Sequence, residues 1–184
     1  MSELKNTVIK PLHGIPNDQN TYHFMQETIT ILASGEDTNG AFSVVHLVEP
    51  PKMGPPLHVH ENEDETFYIK KGRFIFFVGD EILEVNFYIK KGRFIFFVGD
   101  EILEVNENEY VFAPKGIPHR FEAGIDGGEM IVTASPAKFD SFVKELGLQV
   151  PKDSGLPDFQ GPTPEQMQQL VNVAEKYNYK FILE

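Results

Sequence analysis

Two short stretches set the strongest condition on how this chain folds: Gly54-Pro-Pro-Leu-His58-Val-His60-Glu-Asn-Glu-Asp-Glu65 and Pro114-Lys-Gly116-Ile-Pro-His119. His58 and His60 are two residues apart, so on a strand both imidazoles point to one face. Glu61-Asn62-Glu63-Asp64 is a polar turn that returns the chain as a neighbouring strand, with Glu65 at its start. In the second stretch Pro and Gly fix a turn and deliver His119 to the beginning of the next strand. Three imidazoles and one carboxylate form a mixed nitrogen and oxygen donor set suited to one divalent transition metal: Fe, Mn, Ni, Cu, Co or Zn. A His-x-His pair alone is more often two ordinary strand histidines, but the full ordered set outweighs that reading. Glu61, Glu63 and Asp64 read as a solvated acidic turn rather than further ligands. His13, His23 and His46 carry no such pattern, and His46 reads as a structural histidine rather than a group that backs a ligand.

The elements around these stretches are short and sharply punctuated. Thr28–Ser34 and Ala41–Val48 are β-branched and apolar and flank a polar Gly35–Gly40 connection, as in a hairpin. Glu109–Ala113, His119–Ala123 and Met130–Ala134 supply later strands. Short strands separated by Gly, Pro and Asn turns predict a mainly β antiparallel barrel or sandwich. After residue 134 the period changes. Ser135-Pro136 can cap a helix carrying Phe139, Phe142, Val143 and Leu146, stopped by Gly147. Val150–Pro162 reads as a surface connection, and Thr163-Pro-Glu-Gln166 is a capping box that opens a second helix. Met167, Leu170, Val171, Ala174 and Tyr177 form its apolar stripe, and Tyr179–Leu183 reads as a short terminal strand.

Residues 67–86 recur without a change at 87–106. Natural arrays drift between copies and usually hold three or more units, so two identical copies point to a very recent or an engineered duplication. Each unit reads as strand 67–70, a Lys-Gly turn, strand 73–78, a Gly-Asp turn and strand 82–85. In tandem, a continuous strand around Glu81–Lys90 would absorb the extra copy as one hairpin without reversing the barrel. Any 20-residue window starting between 67 and 87 could be the insert. Phe74–Val78 is apolar on both faces, so an extruded copy would expose an apolar strand edge and alter self-association.

At these residues the chain resembles a known family. His58-x-His60-x4-Glu65-x6-Gly72 and Asn108-x5-Pro114-x-Gly116-x2-His119 are similar to the two cupin motifs. Gly54 stands two residues closer to His58 than that pattern places its glycine, Asn108 stands where glycine is usual, and Ala123 replaces a final Asn. The flanks also resemble small quercetin dioxygenase-like cupins. The resemblance implies a jelly-roll β-barrel with C-terminal helices, with His58, His60, Glu65 and His119 as metal ligands. It also implies oxygen-dependent cleavage of a chelating, flavonol-like aromatic, with Glu65 both ligand and proton acceptor, and a homodimer. Two other classes stay open: a cupin of other chemistry, such as an isomerase or decarboxylase, and a non-catalytic metal- or small-molecule-binding cupin.

Length and charge agree with this reading. At 184 residues the chain is expected to be a single domain 1–184, with an N-terminal extension 1–27, a barrel 28–134 and a helical extension 135–184. The formal charge of −12 argues against nucleic acid or an anionic membrane as partner; small molecules and O2 are the expected ones. No apolar run is long enough for a membrane helix, and Met-Ser-Glu-Leu-Lys-Asn lacks the marks of a secretion signal, so a cytoplasmic location is expected. The absence of cysteine excludes disulfides and thiolate ligands.

Overall fold

The computed structural model describes residues 9–78, 97–98 and 101–182. Its strands are β1 (Thr21–Phe24), β2 (Glu27–Ala33), β3 (Ser43–Glu49), β4 (His58–His60), β5 (Asp64–Val78), β6 (Phe97–Val98), β7 (Glu101–Val105), β8 (Tyr110–Ala113) and β9 (His119–Ser135), followed by β10 (Leu148–Gln149) and β11 (Tyr179–Phe181). Two helices, α1 (Phe139–Leu146) and α2 (Pro164–Tyr177), lie among the last elements. The strands join in one sheet in the order β10-β1-β2-β3-β9-β5-β6-β7, with β4 against β9 and β11, and β8 against β5. Among the described residues this path does not close on itself, so the barrel is an open jelly roll. One apolar cluster fills it, from Ile29, Val45 and Leu47 on one side to Phe67, Phe74, Phe76 and Phe121 on the other, and continues into Phe142 and Leu170 of the helices.

The expected Lys-Gly turn, and the break expected between the strands at His119–Ala123 and Met130–Ala134, are instead corners within long strands. Residues 67–70 and 73–78 belong to one strand, β5, and His119–Ala123 and Met130–Ala134 belong to another, β9. These two pair antiparallel along almost their whole length, with register irregularities between Ile69 and Lys71 and between Gly72 and Phe74. Paired strands can bend together at such bulges, which a reading of either segment alone does not reveal. Gly72 enables the corner: its φ is +84°, and a Cβ there would fall 2.5 Å from the carbonyl oxygen of Gly127.

The same pairing locates the extra copy. Phe74, Ile75 and Phe76 of the first copy lie opposite Val105, Glu104 and Leu103 of the second. In a chain with one copy, the equivalent partners of those residues would be Val85, Glu84 and Leu83, joined through the Gly79-Asp80 turn. Among the described residues the barrel thus pairs Phe74–Phe76 of one copy with Leu103–Val105 of the other, and Phe97–Val98 of the second copy runs parallel to Phe77–Val78 of the first. Glu65, two residues before the repeat, keeps its place opposite Ala113 and Ala134. The expected strands at 82–85 and Glu81–Lys90 lie outside the described residues. A variant lacking residues 79–98 loses β6 and its pairing with β5 and β7 but retains the paired residues Phe74–Phe76 and Leu103–Val105. It is expected to be more stable by about 1 kcal/mol, because a shorter connection costs less entropy to close. Urea unfolding of the two proteins checks this, and a lower midpoint for the deletion would show that the extra copy contributes contacts of its own.

The C-terminal extension follows its sequence signals with one exception. Thr163 accepts from the Gln166 backbone N–H while Gln166 accepts from that of Thr163, and α2 ends at Asn178 with φ 61°. Helix α1, however, starts at Phe139 rather than beside Ser135-Pro136, because Ser135 remains in β9 and its hydroxyl donates to Ala41 O. The N-cap position, Lys138, supplies no side-chain cap. The carboxylate of Glu63 takes that role.

Candidate metal centre

Neighbouring strand ends bring the donors together. His58 opens β4 and lies opposite His119, which opens β9. His60 closes β4, and Glu65 follows on β5 after the turn. The turn at Gly116 is tied to this ladder by its N–H, which donates to His60 O at 2.8 Å, and Lys115 N donates to Asp64 Oδ1 at 2.9 Å. On the other side of the barrel mouth, Gly54 leads into β4 so close to β9 that a Cβ would come within 1.8 Å of Phe121 O. Asn108 adopts φ 67°, the left-handed conformation expected where it replaces glycine.

One ligand atom from each of His58, His60, Glu65 and His119 lies within 4.8 Å of the others. The three imidazole centroids are 4.6 to 5.4 Å apart. All four residues are buried, His58 most openly at 9% exposure. Their hydrogen bonds direct lone pairs inward. His58 Nδ1 lies 2.8 Å from Pro56 O and His119 Nδ1 lies 3.0 Å from Ile117 O. A carbonyl only accepts, so each Nδ1 carries the proton and each neutral ring keeps its lone pair on Nε2. Yet His119 Nε2 sits 2.9 Å from Glu65 Oε2. Two acceptors at that separation need a shared cation between them, either a proton or a metal ion. His60 Nδ1 is buried 3.3 Å from Glu63 Oε2 and 3.5 Å from Glu65 Oε2, and is aligned for a hydrogen bond with neither. This donor set and its orphaned nitrogen fit a divalent metal.

The electrostatics agree. Burial would raise the Glu65 carboxyl, but His60, His119 and His58 outweigh it and bring it to about 2. Burial, with His119 and His60 alongside, holds His58 well below the usual imidazole range. For His60, the pull of Glu65 and Glu63 overcomes desolvation and raises it. A neutral His58 and an ionised Glu65 are the forms that bind a metal, whereas His60 must release its proton to do so.

Sequence reasoning missed the residues that hold the ligands. Glu63, read as part of a solvated turn, is 1% exposed. Its Oε1 accepts from the backbone N–H groups of Lys138 and Phe139 at 3.0 and 3.1 Å, so it caps α1, and its Oε2 accepts from the Tyr179 hydroxyl. Tyr179 stacks on His60 at 3.9 Å and 19°, and β11 lies along β4 with Tyr179 opposite His60 and Phe181 opposite His58. Glu61 behaves as the turn residue expected, exposed and paired with Lys180, and Asp64, half-buried and outside the donor group, accepts from Lys115 N. His46 lies outside the site, 3.1 Å from Glu129, as expected of a structural histidine.

The donors open onto a cavity of about 60 Å3 with mostly apolar walls, including Phe24, Leu47, Phe67, Phe121, Phe142 and Phe181. Among the described residues no lysine or arginine lines it. Glu27 does, and behind it lies Glu49, also buried. Burial raises Glu49 to about 8, and burial together with the nearby Glu49 charge raises Glu27 well above the usual carboxylate range. Between the ordinary carboxylate value and about 8 the folded protein holds protons that the unfolded chain releases. Stability is therefore expected to fall as pH rises through that window, by on the order of a few kcal/mol. Urea unfolding across the window should show this slope, flattened in Glu49→Gln.

No protein-family model matches the chain, and no curated protein matches it in sequence. Solved structures do match in shape. KdgF from a Halomonas species aligns over 72% of this chain and 99% of its own at 16% identity, with a TM-score of 0.53. An RmlC-like cupin from Shewanella frigidimarina aligns over 73% and 99% at 17% identity, with a TM-score of 0.52. The W96F variant of Bacillus subtilis oxalate decarboxylase aligns over 81% of this chain and 35% of its own at 19% identity, with a TM-score of 0.53. At such identities the likeness establishes the fold.

Proposed function

We propose that this chain, which has the cupin fold, is a metal-dependent oxygenase of small molecules that chelate through oxygen. The observation that carries this reading is the convergence of three imidazoles and one carboxylate at a cavity whose walls, Glu27 apart, are mostly apolar. His58, His60, Glu65 and His119 would hold one divalent transition metal, which supplies Lewis acidity and, if redox-active, the means to use dioxygen. Four protein ligands leave room for exogenous ones on a five- or six-coordinate ion. Glu65, ionised and beside that position, accepts the proton of a substrate hydroxyl. The phenyl walls exclude water and pack against an aromatic or other apolar body.

The flavonol-like aromatic implied by the sequence resemblance is the first substrate class to test. A second reading is favoured by the volume of the cavity. At about 60 Å3 it holds on the order of five waters, which suits a compact chelating acid and therefore an isomerase or decarboxylase. Oxygen-electrode and product assays on metal-reconstituted protein, with quercetin and with a panel of hydroxy and oxo acids, separate these. Oxygen consumption with quercetin supports the aromatic oxygenase. Turnover of an acid under anaerobic conditions would replace it with the second reading. Binding without turnover of either class would make the protein a non-catalytic binder.

A further inference from the structure

Strands β2 and β3 each place alternate residues on the core. Ile29, Ile31 and Ala33 lie on that face of β2, and Val45 and Leu47 on that of β3. Each series ends in an acid: Glu27 is 4% exposed and Glu49 is 1% exposed. Thr28 pairs with Val48, so the register sets Glu27 opposite Glu49 one position further on. Glu27 lines the metal cavity, whereas Glu49 lies behind it with neither carboxyl oxygen hydrogen-bonded. Gln26 Nε2 donates to Glu27 Oε1 at 3.5 Å. The other titratable groups around that cavity are His58 and His60 from β4, Glu65 from β5 and Tyr179 from β11.

Two facing carboxyls in an apolar wall, with no lysine or arginine lining the cavity among the described residues, resist ionising together, so the pair keeps at least one proton at neutral pH. A carboxyl held neutral in this way is a hydrogen-bond donor. We propose that Glu27, backed by Glu49, is a neutral acid that donates a hydrogen bond to a substrate oxygen, and that the substrate is a compact chelator with an acceptor oxygen beyond the two that bind the metal. The proposal rests on the metal reading above. The remaining walls are apolar, so a further oxygen finds its partner at Glu27, and a ligand without one leaves that acid unpaired.

Infrared spectroscopy and ligand titration test this separately from metal binding. Near neutral pH the metal-free protein should show a protonated-carboxyl band that is diminished in Glu27→Gln and altered in Glu49→Gln. In zinc-loaded protein, malonate, which keeps two free oxygens once chelated, should shift that band. Glu27→Leu should weaken malonate about tenfold while leaving catechol, which has no further oxygen, unchanged. Glu27→Gln, whose amide N–H still donates, should retain most of the malonate affinity and serves as the second variant if the leucine disrupts folding. A missing band overturns the acid pair even where zinc binds. Equal losses for malonate and catechol, or no loss, overturn the substrate class. A protein that shows the band but takes up no metal overturns the metal reading and the chelator class with it.

Discussion

The His58→Ala/His119→Ala variant, purified and reconstituted beside the wild type, is expected to hold about a tenth or less of its metal, because two of four donors are gone. Elemental analysis per chain measures this directly. The two histidines face each other across β4 and β9; each has its Nδ1 on a backbone carbonyl, and His119 also meets Glu65 through Nε2. Their removal should subtract ligands without unravelling the ladder, and because buried Glu65 also loses two of the imidazoles that keep it ionised, a lowered but still cooperative thermal melt is expected for the metal-free variant. His46→Ala, removed from the site and paired with Glu129, should retain full metal content. Acid should mimic the double variant: protons compete for the imidazoles, so affinity falls as pH drops through the histidine range. Equal metal in wild type and double variant would place the metal elsewhere. No uptake by either would leave the buried cluster as a proton-sharing network and favour a binder.

How much of this could be read from the sequence depends on how local each signal is. The four clustered donors were legible because two turns carry them in a fixed order, and strand periodicity puts His58 and His60 on one face. The capping box at Thr163 and the left-handed Asn108 are equally local, and both appear as expected. The corners in β5 and β9 were not legible, since each exists only because the other strand bends with it. The location of the extra copy was hidden for a different reason: identical sequences cannot show which half of each pairs, whereas the register of Phe74 with Val105 does. Glu27 and Glu49 left a readable trace, an acid at an inward position of an otherwise apolar alternation. That trace acquires meaning only once the register sets them opposite each other.

Glu63 shows the limit most sharply, and its removal is expected to have the largest effect on stability. The sequence places it in an acidic run, where solvation is the natural reading. The fold instead buries it between two elements far away in the chain, the N-terminus of α1 and the hydroxyl of Tyr179, and against the ring of His60 three residues before it. Glu63→Ala would leave two helix N–H groups without their acceptor and a buried phenol without its partner. Loss of a buried charged partner of this kind costs about 3–5 kcal/mol. Burial alone raises Tyr179, so its O–H does not escape the loss by ionising near neutral pH. Metal affinity should fall as well, about 10- to 100-fold, because the group beside His60 Nδ1 is gone and the stacked Tyr179 is free to shift. Glu63→Gln separates the two effects. Its amide oxygen can still cap α1, so most of the stability should return, while the lost charge beside His60 should keep metal binding weak. Urea unfolding and competitive metal titration of both variants measure this. A Glu63→Gln protein with wild-type affinity would reduce Glu63 to a helix cap, with His60 positioned by β4 and Tyr179 alone.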